Sequence, residues 1–255
     1  MLFVPTGIGP FPAVVIIHGS GTSRRQNGWY LTLTEYLQKN GIAVLLPDKR
    51  GSEKSEGNWR NASFSDLATD TLAAIQFLKE QDQVAVSRIG IVGMSQGGWI
   101  APIVANGSSD VAFLVNVVGS AVTPKEQLIY EEDHNLRQVG FLPGISRLIA
   151  YLSTAYIRNV AQRDFWSANG NFDPLPLWRQ LDIDALCLYG ADDTNVPTAR
   201  SAENLRSLNN PNVEVRIFEG SGHALEEPEG LGDSIFRFDA LRDIARFIHA
   251  QPNRP

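Results

Sequence analysis

Six short, mostly apolar runs punctuate the chain at residues 13–17, 42–46, 89–92, 111–118, 185–189 and 213–218. The first five are rich in Val, Ile and Leu and lack the polar alternation of a half-exposed strand, so they predict strands covered on both faces, as in a parallel sheet. Between them, segments 30–39, 65–81, 96–105 and 199–208 carry helical periodicity, and 234–250 follows the last strand. Asn40-Gly41 supplies a C-terminal stop for the first helix, since glycine tolerates a left-handed backbone. Asp233 or Ser234 is placed to cap the last helix, in which Leu241, Ile244 and Ile248 form an apolar stripe. The βα alternation predicts an α/β fold with a doubly wound, mostly parallel sheet.

The alternation stops between residues 123 and 184. Helical patterns over 124–139 and 145–163 precede an aromatic, proline-containing stretch, FWSANGNFDPLPLW. An insertion of this length between two sheet strands predicts a helical lid over the ligand-binding edge, with residues 1–122 and 185–255 as the core. An ordinary crossover helix with a long loop is the simpler alternative. Pro102 inside the 96–105 helix predicts a kink there.

Chemistry enters with Gly93-Met94-Ser95-Gln96-Gly97-Gly98, which follows one strand and opens a helix. That context makes GxSxG a nucleophile elbow, with Ser95 exposed on a sharp turn at the sheet edge. A serine needs a base, and four histidines are available. His18 ends the first strand, His134 lies in the insertion and His249 in the last helical turn; His223, in a loop just after the last strand, shares the carboxyl edge with Ser95. The base needs a carboxylate, and strand 185–189 runs into Gly190-Ala191-Asp192-Asp193-Thr194-Asn195-Val196-Pro197. Asp193 is the first choice and Asp192 the fallback. For the oxyanion, the backbone N–H of Gln96 is one expected donor; the second is expected from His18-Gly19-Ser20-Gly21, with Ser20 ahead of Gly21.

Composition narrows the partners. With 255 residues, 43% hydrophobic, and a formal net charge of −6 without a dense basic run, the chain suits one sizeable core and a small ligand rather than nucleic acid. Its strongly apolar runs, such as 13–17, are far short of the roughly 20 residues of a membrane span, and no signal peptide is visible at the start. The single cysteine, Cys187, sits in a strand and reads as core; it excludes an intrachain disulfide and suits a cytoplasmic location. Asp48 and Arg50 read as structural hydrogen-bonding residues of the loop after the second strand. The tryptophans read mainly as packing.

Taken together, HGSG at 18–21, DKRG at 48–51, GMSQGG at 93–98, GADDTNVP at 190–197 and GSGH at 220–223 resemble the serine hydrolases of the α/β-hydrolase superfamily. The esterase-like branch related to dienelactone hydrolases and acyl-CoA thioesterases is the closest in pattern, over roughly residues 11–122 and 185–250. The resemblance implies a Ser95, Asp193, His223 triad with neither cofactor nor metal. Serine stands where true dienelactone hydrolases have cysteine, so their reaction is not carried over. The family sheet begins with two further strands, whereas only residues 2–5 precede the oxyanion-loop strand here, so a shortened amino end is expected. The expected activity is hydrolysis of a small-molecule carboxylic ester through an acyl-enzyme. Thioesterase or acyltransferase chemistry uses the same apparatus; peptidase activity and a non-catalytic binding module rank below these. Apolar insertion residues, including Phe141, Leu142, Ile145, Leu148, Tyr151, Phe165 and Trp166, are the candidates for gripping an apolar acyl part, or else form the insertion's own core.

Overall fold

The apolar runs become strands because helices cover both faces of the sheet they build. In β2 (Phe11–Ile17), Ala13, Val15 and Ile17 enter one core and Val14 and Ile16 the other, all nearly inaccessible to water. The computed structural model describes residues 1–228 and 235–253. Among them, β1 (Leu2–Phe3), β2, β3 (Ala43–Leu45), β4 (Val84–Met94), β5 (Phe113–Val117), β6 (Asp184–Gly190) and β7 (Val213–Phe218) form one sheet in the order β1-β3-β2-β4-β5-β6-β7. Every neighbouring pair is parallel except β1 with β3.

One core lies beneath α2 (Phe64–Lys79), α3 (Gly97–Gly107) and α8 (Thr198–Ser207); the other lies beneath α1 (Gly28–Lys39) and α9 (Phe238–Ala250). Local sequence explains the helix ends. Asn27 caps α1, and Asn40-Gly41 closes it with Gly41 at φ 77°, as expected. Ser63 and Asp66 form a reciprocal capping box on α2. Helix α9 begins at Phe238, four residues later than its sequence pattern suggests, and buries Leu241, Ile244 and Ile248 on one face. The proposed caps Asp233 and Ser234 lie outside the described residues.

Two strand differences have a physical origin. β4 starts at Val84 rather than 89, because the partly exposed stretch before Ile89 reaches Phe11 across an irregularity in the ladder. β1 is only two residues long, too short for a periodic signal, and is held on the sheet edge by Leu2 opposite Leu45 and Phe3 opposite Val44. The chain moves from β2 to β3 on one side and resumes with β4 on the other. That reversal opens a crevice at the carboxyl ends of β2 and β4, the general ligand position in open α/β sheets.

The insertion contains α4 (Pro124–Gln138), α5 (Pro143–Tyr156), a π-helical turn (Ile157–Ala161), α6 (Arg163–Asn169) and α7 (Leu175–Gln180). It is not uniform. Trp178 of α7, with Leu181 and Ile183, joins the main core beneath the sheet, so the segment above the sheet edge ends before residue 184. Helix α5 packs along α4 through small residues: Ser146, Ala150 and Thr154 are buried, and Ser146 Oγ donates to Asp133. Its large residues Ile145, Leu148, Leu152 and Tyr156 face outward instead.

Candidate active site

Ser95 follows β4 with φ 51°, a left-handed conformation that is strained for a residue with a side chain. Its N–H donates to Val117 O at 2.9 Å and its carbonyl accepts from Gly98 N–H at 2.8 Å, so strand and helix together hold the turn. Glycines make the turn possible. A Cβ on Gly93 would lie 2.5 Å from Gly97 O, and one on Gly97 would lie 2.2 Å from Ile17 O. Gly97→Ala is therefore expected to push β2 and α3 apart at a cost of about 1–3 kcal/mol, lowering Tm by about 2–10 °C in a thermal unfolding scan.

The three residues singled out in the sequence meet here. Ser95 Oγ lies 2.9 Å from His223 Nε2, and His223 Nδ1 lies 2.8 Å from Asp193 Oδ2. Asp193 is 1% exposed, and its other oxygen, Oδ1, accepts from the N–H groups of Asn195 and Val196 at 2.8 and 2.9 Å. Asp192 is exposed, with its backbone N–H bound to Ser221 O. The loop thus aims one aspartate inward and its neighbour outward. The other histidines are engaged elsewhere: His18 with Pro47 O, His134 with Tyr130 O and His249 with Asn40 O. Burial pushes His18 down to about 4, so it is neutral at pH 7. Trp29 supports the His223 loop, donating from Nε1 to Ala224 O at 2.9 Å, with its ring centroid 6.0 Å from that of His223.

Gly19 passes close over the elbow; a Cβ built on it would lie 3.2 Å from Ser95 Cβ. Its own N–H donates to the Tyr30 hydroxyl at 2.9 Å. Among the described residues, the N–H groups of Ser20 and Gln96 have no backbone or side-chain acceptor, which leaves both free beside Ser95.

Ser95 opens into a cavity of about 800 Å³ between the sheet edge and the insertion. Leu128, Ile157, Val160, Phe165 and Trp166 contribute apolar wall on the insertion side. Trp99 contributes from α3, its ring stacked on Phe64 with centroids 5.3 Å apart. Trp166 thus lies where the sequence reading puts it. Phe141 and Leu142 do not: they are 42% and 68% exposed in the α4–α5 connection and form no part of the cavity wall. The reason is the inverted face of α5, whose small residues fit against α4 and turn the apolar stripe to the outside.

Residues 72–229 match the BAAT / acyl-CoA thioester hydrolase C-terminal family, and residues 2–129 match the BD-FAE family. The chain belongs to the BAAT / acyl-CoA thioester hydrolase C-terminal family. This α/β-hydrolase is 25% identical to esterase EstD of Thermotoga maritima over 89% of its own length and 58% of that protein. It is 24% identical to the mitochondrial palmitoyl-protein thioesterase ABHD10 of Rattus norvegicus, over 92% of this chain and 76% of that one. The Pyrococcus furiosus esterase Pf2001 shares the fold, with a TM-score of 0.69, 19% identity and coverage of 95% of this chain and 83% of that one. The chain spans little more than half of EstD and smaller shares of some other relatives.

Three features of this α/β-hydrolase escape a reading of sequence motifs. Tyr130 of α4 donates to Asp193 O at 2.8 Å, tying the insertion to the acid loop. Glu131, on the same helix, is half-buried in the cavity wall; burial raises its carboxyl above the usual range, and His223 partly offsets that. Lys49 is buried beneath the Gly19 loop. A helical glutamate and a loop lysine carry no local signal, since only the folded chain brings them to Ser95. The expected structural residues behave as read: Arg25 pairs with Asp48, and Arg50 pairs with Asp70. Cys187 is fully buried, and burial pushes its thiol up to about 12, so it is an inert core residue.

Proposed function

We propose that this α/β-hydrolase cleaves carboxylic esters through an acyl-enzyme at Ser95. The observation that carries the proposal is the unbroken hydrogen-bonded line from Ser95 Oγ through His223 to buried Asp193. In this mechanism His223 Nε2 takes the Ser95 proton as Oγ attacks the ester carbonyl, then returns it to the leaving alkoxide. Water repeats the sequence, releasing the acid and restoring Ser95. The Ser20 and Gln96 N–H groups hold the oxyanion, and Asp193 keeps the His223 proton on Nδ1.

The matched family and the ABHD10 likeness support thioester cleavage as a second reading, because the same nucleophile serves a thiolate leaving group. Matched oxygen esters and thioesters of graded acyl length, combined with fluorophosphonate labelling of Ser95, test both. Labelling elsewhere, or turnover of neither series, overturns the proposal.

Under this reading the insertion acts as a lid, and its apolar wall receives the acyl chain. Among the described residues no helix is long and apolar enough to cross a membrane. Val160→Asn is expected to lower kcat/KM for an octanoyl ester about four- to fifteen-fold relative to an acetyl ester. That corresponds to one or two methylene contacts at about 0.8 kcal/mol each. Phe141→Asn, outside the cavity, is expected to leave the ratio unchanged. Equal effects of the two variants on chain-length preference would remove the cavity wall from the account.

A further inference from the structure

Lys49 is a buried ammonium without a carboxylate. It follows β3, is 7% exposed, and among the described residues no Asp or Glu forms a salt bridge with it. Its neighbours in sequence are committed elsewhere, Asp48 to Arg25 and Arg50 to Asp70. Buried charges are normally paired because desolvation is costly, so an isolated one is conspicuous. Its partners are carbonyl oxygens instead. Nζ donates to Gly19 O at 2.8 Å and to Gln96 Oε1 at 2.9 Å, with Gly21 O at 3.4 Å, and it lies 5.0 Å from the centroid of the Trp59 ring.

Those acceptors belong to the two segments that carry the free N–H groups beside Ser95. Gly19 C=O and Ser20 N–H are the two ends of one peptide unit, which is planar and, when trans, points them in opposite directions. Anchoring the oxygen on Lys49 therefore fixes the direction of the Ser20 N–H. A cation on the carbonyl also draws electron density through the amide and strengthens its N–H as a donor. The Gln96 side chain, held by the same ammonium, restrains the residue whose N–H is the other donor.

We propose that Lys49 is a positioning residue that orients and polarises the oxyanion donors, clamping the Gly19–Ser20 peptide to Gln96. The inference rests on the ester hydrolase reading, in which those N–H groups receive the oxyanion. Burial lowers Lys49 to about 8, so the clamp loses its charge as pH rises through that region. The groups around it are His18, held neutral at pH 7 by burial; Tyr30, raised above its ordinary value; Trp59 with Arg60 against its ring; and the paired Asp48 and Arg50. His18, Tyr30, Asp48 and Arg50 are not placed to lose a proton near pH 8.

Kinetics of the full chain on an activated acetyl ester between pH 6 and 10 test the idea, with active sites counted by fluorophosphonate labelling and folding followed by thermal unfolding. Wild-type turnover, lowered about 10⁵- to 10⁶-fold by Ser95→Ala, establishes the underlying reading independently of Lys49. Lys49→Met is expected to lower kcat per labelled site about ten- to a hundred-fold, below the loss typical of deleting an oxyanion donor outright, with KM within about threefold. The wild type is expected to lose kcat along a one-proton limb near pH 8. In Lys49→Arg, whose guanidinium stays charged, that limb should vanish below pH 10. A Lys49→Met kcat within threefold of wild type overturns the proposal. So does an alkaline limb shared by wild type and Lys49→Arg, an outcome readable even if the methionine variant fails to fold.

Discussion

Ser95→Ala is expected to lower kcat about 10⁵- to 10⁶-fold on any ester the wild type hydrolyses, while Tm stays within a few degrees. The hydroxyl is the only group removed. Its hydrogen bond to His223 is solvent-facing at the cavity, whereas the backbone bonds to Val117 O and from Gly98 N–H are unaffected by the side chain. The oxyanion donors and the cavity remain, so turnover should persist above the uncatalysed rate by a residual factor of about 10³–10⁴. Kinetics and a thermal scan on the same preparation check this. Retention of more than a few per cent of kcat would place the nucleophile elsewhere.

Asp193→Asn is expected to cost about 10⁴-fold in kcat, and Asp192→Asn less than threefold. Asparagine can still accept the Asn195 and Val196 N–H groups through its oxygen, so the loop should keep its shape. Its NH₂ then faces His223 Nδ1, which must become the acceptor. The ring proton moves to Nε2 and points at Ser95 Oγ, leaving no lone pair there to take the serine proton. Asp192 is exposed and its side chain is not among the partners of His223, so neutralising it should leave that tautomer untouched. Steady-state rates of the two variants across pH 6–9 decide the matter, and the reverse order of losses would move the acid by one residue.

The contrast between those neighbours shows where sequence stops. GxxDxxVP places two aspartates at the correct sheet edge, but which one turns inward depends on the Asn195 and Val196 amides curling around a single carboxylate. The insertion shows the same thing on a larger scale. Its helices are legible from periodicity, yet the apolar stripe of α5 faces outward because Ser146, Ala150 and Thr154 make the closer fit to α4. Phe141 and Leu142 are carried away from the cavity with it, while Trp166, Phe165 and Val160 form its wall. Trp178 falls within the same insertion and belongs to the main core.

By itself the sequence determined the parallel sheet, the elbow at Ser95 and the order of serine, acid and histidine. These are written in short-range patterns: continuous apolar runs, glycines where backbones touch, and turn residues after each strand. Tertiary structure alone decided which face of the insertion lines the cavity and that Lys49 lies under the Gly19–Ser20 peptide. Each of those depends on contacts between residues far apart in the chain, where the fit of surfaces and the burial of a charge are set by partners that no local pattern names.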